Sequence, residues 1–117
     1  MLSIKSSRMF RVWEYRVSHS QLLLRSPKND AEPENHDVIF FGVEHLDLPT
    51  SLMGIAITGG EAAEIAGGQN QRRKASPAAK QFALDSGGHR YRVVAAGVRE
   101  QKNKLDLFES SLDSFTA

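Results

Sequence analysis

The sequence contains no cysteine. That excludes a disulfide framework, thiol catalysis, cysteine-ligated zinc and iron–sulfur clusters together. It suits a reducing compartment, and the cytoplasm is the expected location. Long apolar runs are also missing. Nothing approaches the ~18 residues of a membrane-spanning helix, and MLSIKSSRMF at the N-terminus lacks the apolar core of a secretory signal. No membrane partner is expected. Proline is scarce, four in all, so each one reads as a local stop. There is no internal repeat.

The motifs of several chemistries are absent too. No H-E-x-x-H and no closely spaced histidine pair points to a metal. No G-x-S-x-G elbow exposes a serine. The Gly-Gly pairs fit neither G-x-x-x-x-G-K-[ST] nor a strand-linked G-x-G-x-x-G, which leaves them as turn and cap residues. No catalytic residue, metal site or cofactor is therefore expected.

What is present is an ordinary globular balance: 117 residues, 40% hydrophobic and 25% charged. That length suits one domain with its own core. Residues 1–8 read as a flexible tail, 9–117 as a single β-rich domain, and 69–79 as a mobile loop within it. The net charge of +1 hides blocks of sign. Residues 1–28 are basic, with Glu14 their one acid. Residues 29–49 carry Asp30, Glu32, Glu34, Asp37, Glu44 and Asp47 and no Lys or Arg. Residues 70–104 are basic again, and the last thirteen are acidic. Such blocks either form opposed patches for association or cancel between antiparallel neighbours.

The densest apolar stretch is Met9–Arg25, which holds the only Trp. Met9–Val17 and Gln21–Arg25 read as strands joined by Ser18-His19-Ser20. β-branched and aromatic residues with no helix cap favour strand. Phe10 and Val12 fall on one face, while Trp13, Tyr15 and Val17 fall on the other. A strand buried on both faces, or a bulge near Val12–Trp13, would produce this pattern. Leu22-Leu23-Leu24 is apolar on both faces, as a central strand should be, so this hairpin is expected in the middle of the sheet.

Pro27 ends the second strand, and 29–34 reads as an exposed loop. Asp37–Glu44 is the next strand, with Gly42 marking a bulge or the close approach of another backbone. Leu46-Asp47-Leu48 and Leu52–Thr58 are further short strands. Phe82–Asp85 and Tyr91–Val98 read as a hairpin turning at glycine, with Tyr91, Val93 and Ala95 on one face and Arg90, Arg92 and Val94 on the other. At most one or two short helices are expected, near 60–66 or 77–84. The C-terminal segment is open between a helix, on the stripe Leu105, Phe108, Leu112 and Phe115, and a last strand ending near Ser110. The fold expected is mainly β, an antiparallel β-sandwich or partly open β-barrel.

Three functional classes remain. His19, His36, His45 and His89 sit at turns or strand ends. His36 and His45 flank one strand and so lie about 30 Å apart along it, far beyond one metal's reach. Ser18-His19-Ser20 resembles a nucleophile beside a base, but neighbouring side chains rarely aim at each other. An enzyme would need a His/carboxylate site assembled from strand ends; enzyme status is uncertain, and a non-enzyme is favoured. A nucleic-acid-binding β domain would use Arg11, Arg16, Arg72, Arg73, Lys74, Arg90 and Arg92 on two basic hairpins and a loop. The leading expectation is a small non-catalytic binding or interaction domain that pairs with itself or another protein, with Trp13 and Tyr15 as interaction candidates.

Overall fold

The computed structural model describes residues 2–62 and 79–116. Eight strands are present among them: β1 (Leu2–Arg16), β2 (Gln21–Ser26), β3 (Asn35–Phe41), β4 (His45–Asp47), β5 (Ser51–Ala62), β6 (Lys80–Ser86), β7 (His89–Ala95) and β8 (Gly97–Asn103). They form one antiparallel sheet in the order β4-β7-β6-β5-β1-β2-β3-β8. The fold is mainly β, as the strand-and-turn spacing implies, and the β1–β2 hairpin lies in the middle of the sheet.

The chain forces this sheet to curl. β4, at one end, follows β3 after only Gly42–Glu44, and β8, at the other end, follows β7 after Ala96 alone. Each end strand therefore continues a strand from near the opposite end, so the two ends must come together. The Ala96 N–H donates to the Phe41 carbonyl at 2.9 Å, and the Glu44 N–H to the Val94 carbonyl at 2.8 Å. The inner faces meet across the middle, where Phe40 of β3 packs edge-on against Phe82 of β6 at 5.6 Å between centroids. β4 and β8 do not pair with each other, so the barrel stays partly open.

Alternation builds the interior. Ile4, Phe10 and Val12 of β1, Leu22 and Leu24 of β2, Val38 and Phe40 of β3, and Tyr91, Val93 and Ala95 of β7 all face one apolar core. Gly42 supplies the corner. Its φ is +62°, and a Cβ there would stand 2.7 Å from the Ala96 Cβ, so the close backbone approach read from the sequence is present. Gly87 and Gly88, at φ +57° and +81°, make the two-residue turn between β6 and β7, where positive φ matches the strand twist.

Three expectations need correction. Residues 2–8 are not a tail. Ile4 pairs with Ile57 and Ser6 with Ile55, and the polar Ser3 and Lys5 that made the segment look frayed occupy the solvent side of a strand whose other side is buried. Of the helix expected near 60–66, Gly60–Ala62 belong to β5; of the one near 77–84, Ala79 is a buried irregular residue and Lys80–Leu84 belong to β6, and the remaining positions lie outside the described residues. Ladder pairing overrides the weak helix preference of such short segments. The C-terminal segment is neither helix nor strand. It is an irregular strap with one 3-10 turn, Ser111–Ser114.

Candidate interaction surfaces

The bulge read from the sequence exists, and it decides where the aromatic side chains go. Between β1 and β2 the register runs Val12↔Leu24 and then Glu14↔Leu23, leaving Trp13 as the extra residue. Trp13 turns outward onto a second cluster made by Leu23, Ile39, Leu112 and Phe115. Tyr15 lies opposite Leu22, a core residue, so Trp13 and Tyr15 sit on opposite faces and not on the shared face that strict alternation implies. Trp13 is a half-buried packing residue beneath the strap, while Tyr15 stays 39% exposed.

Under the strap lies a polar network that sequence reasoning missed. Arg25, 1% exposed, makes a bidentate pair with Asp37, 0% exposed. Its Nε and Nη2 donate to the two carboxylate oxygens at 2.7 and 2.8 Å. Its Nη1 donates to the Glu109 carbonyl at 2.8 Å, and the guanidinium lies 5.4 Å from the Trp13 ring centroid. The Asn103 amide donates to Asp37 at 2.9 Å, and Asn35 donates to Asn103 and to the Leu105 carbonyl, both at 2.8 Å. The signal was an Arg closing an all-Leu strand and an Asp opening the next, read without the register that sets them opposite.

The charge blocks thus meet locally. Besides Arg25 and Asp37, Arg92 lies opposite Asp47. Arg16 pairs with Glu14 at 2.7 Å and with Asp113 of the strap. Its hydrogen bond holds the Glu14 carboxyl below its ordinary value and raises the guanidinium. Arg90 pairs with Asp85 at 2.7 Å and lowers that carboxyl in the same way. Arg8, at the β1 bulge facing β5, ties down the 27–34 loop through Ser26 Oγ and the carbonyls of Ser26, Pro27 and Glu34.

Among the described residues the basic candidates are not drawn together. Arg11 and Arg16 lie on β1, and Arg90 and Arg92 on β7, with β5 and β6 between them. Arg16 and Arg90 are in ion pairs, and Arg92 Nε is buried without a hydrogen-bond partner. Arg72, Arg73 and Lys74 lie outside the described residues, as does nearly all of the expected 69–79 loop.

Among the histidines, His36 is buried against Phe10 at 5.2 Å and bonds Glu100 at 2.7 Å. Ser18 Oγ and His19 Nδ1 do meet, at 2.8 Å, contrary to the expectation for neighbours, because a 3-10 turn and not a strand carries them. That contact is exposed. No group of three or more His, Asp or Glu among the described residues is placed to hold a metal ion, and no helix among them is long and apolar enough to cross a membrane.

Two kinds of surface remain open. The first is apolar: Met9 and Met53 face each other across β1 and β5 and are both exposed, and Phe108 stands 94% exposed beside Leu107 on the strap. The second is the ladder's own end. β8 pairs with β3 on one side, and among the described residues no strand pairs with its other side. Comparison with known proteins yields no matching family model, no matching curated protein and no matching solved structure.

Proposed function

We propose that this chain is a small non-catalytic interaction domain that associates with itself through the uncovered end of its sheet. The observation that carries this reading is β8, a seven-residue strand with one row of backbone donors and acceptors unpaired among the described residues. Such an edge is a template for another strand. The exposed Met9–Met53 pair and Phe108 support a role exercised through surfaces, because single apolar side chains at a surface add contact area wherever a partner covers them. The barrel interior is lined with apolar side chains, which leaves the polar groups to the periphery. The cysteine-free composition suits the cytoplasm as the place of action. The described candidates Arg11, Arg16, Arg90 and Arg92, dispersed and partly ion-paired, favour no second, nucleic-acid reading.

Sedimentation velocity across micromolar to sub-millimolar concentrations tests the proposal. A concentration-dependent shift from monomer to a larger species is expected. A monomer throughout that range overturns self-association.

A further inference from the structure

Charged side chains on an edge strand normally keep other strands away. β8 reads Gly97-Val98-Arg99-Glu100-Gln101-Lys102-Asn103, and Arg99 to Lys102 are all exposed. These charges do not repel every partner equally, and a second copy of the same strand meets them with the same sequence of charges run in the opposite direction.

Two copies of one edge pair antiparallel about a two-fold axis normal to the sheet. The residue on the axis then faces its own copy, and its neighbours face each other crosswise. An axis at Arg99 sets arginine against arginine. An axis at Glu100 sets two carboxylates together, and one at Lys102 sets two ammonium groups together. An axis at Gly97 or Val98 leaves most of the strand without a partner. With the axis at Gln101, two neutral amides meet, and Glu100 faces Lys102 of the second copy on both sides. Arg99 then faces Asn103, also twice. Directly opposite unlike charges stabilise a sheet pair and like charges oppose it.

We infer that β8 pairs with β8 of a second copy about a two-fold axis at Gln101, with two crosswise Glu100–Lys102 ion pairs selecting that register. This rests on the self-association reading above and specifies its surface. Among the described residues the geometry leaves room for it. The strap crosses the outer face of β2, where Leu112 reaches Leu23 and Glu109 reaches Arg25. Its Phe115 ring returns to 5.9 Å from the Arg99 guanidinium on the face of β8, without pairing with the strand's open row of backbone groups. The opposite end strand, β4, has only three residues, too few for a comparable pairing.

Charge reversal and cross-linking test this together. Lys102→Glu and Glu100→Lys should each weaken dimerisation by about tenfold, because two attractions become two repulsions. The double variant E100K/K102E should recover it, with the pairs reversed. E100K also removes the internal His36 contact, which the double variant does not restore, so recovery reports the contact between copies. In a chain without cysteine, Gln101→Cys should oxidise to a covalent dimer, since facing Cβ atoms on paired strands lie close enough for a disulfide. Far-UV circular dichroism verifies that each variant is folded. A wild-type dimer that ignores both single reversals, or that gives no Q101C cross-link, overturns the Gln101 axis while self-association stands. A wild-type monomer overturns both.

Discussion

Arg25 and Asp37 are the residues on which this fold takes its largest electrostatic risk. Two opposite charges buried together offset each other's desolvation only when their hydrogen bonds are complete. Here the Glu109 carbonyl and the Asn103 amide help complete them. Asp37→Ala leaves a guanidinium buried without its counter-charge and should lower unfolding stability by about 3–5 kcal/mol. Replacing both partners, Arg25→Met with Asp37→Leu, should cost far less, since an apolar pair of similar volume needs no compensation. Urea unfolding of the three proteins measures both differences, and a double variant as unstable as D37A would contradict the account. Gly42 makes a second residue-scale test. Gly42→Ala forces an L-residue into positive φ, at roughly 1–2 kcal/mol, and drives its methyl into that of Ala96. Adding Ala96→Gly should return the steric part and leave the conformational part, so the double variant should melt between wild type and G42A. Gly42 was legible in the sequence because a glycine inside an apolar strand ordinarily marks a bulge or a close backbone approach. The Arg25–Asp37 pair was not, because only the β2–β3 register brings together two residues on separate strands.

The strands were legible where one face alternates with the other, as in Tyr91, Val93 and Ala95. They were hard to read where the fold breaks alternation. β1 hides its first half because Ile4 is followed inward by no further large apolar residue until Phe10. The strap misleads in the opposite sense. Leu105, Phe108, Leu112 and Phe115 carry helical spacing, yet Phe108 is exposed while Leu112 is buried, so the spacing does not mark one buried face. Beside the apolar contact of Leu112 with Leu23 and Ile39, a polar one holds the strap: Arg16 of β1 reaches Glu14 on its own strand and Asp113 on the strap. Glu14 titrates below its ordinary value in the folded protein, mainly through its hydrogen bond from Arg16. A depressed carboxyl contributes stability that is present above its unfolded pKa and is lost as pH falls through the folded one. Glu14→Gln should therefore be slightly less stable than wild type at neutral pH, with the difference vanishing below the carboxylate range. Thermal melts at neutral and strongly acidic pH read this directly; a difference that persists in acid would assign the effect to packing.

At the scale of the molecule, the two apolar clusters lie on opposite faces of the same strands. Leu22 and Leu24 face the barrel interior while Leu23, between them, faces the strap; Val38 and Phe40 face inward while Ile39 faces outward. Neither cluster can therefore come apart without disturbing the strands that form the other, and the eight strands and the strap should unfold as one unit. Connectivity strengthens the coupling, because β1 pairs with β5 and β3 with β8, pairings distant in sequence that survive only while the whole ring is assembled. The single Trp makes this measurable, since Trp13 reports the outer cluster by fluorescence while far-UV circular dichroism reports the ladder. The two denaturation curves should coincide with one midpoint, as a two-state transition requires. An earlier fluorescence transition would mean that the strap and its cluster detach on their own. The outer cluster would then be a separable cover over Leu23, Ile39 and Trp13, not the second half of a shared core.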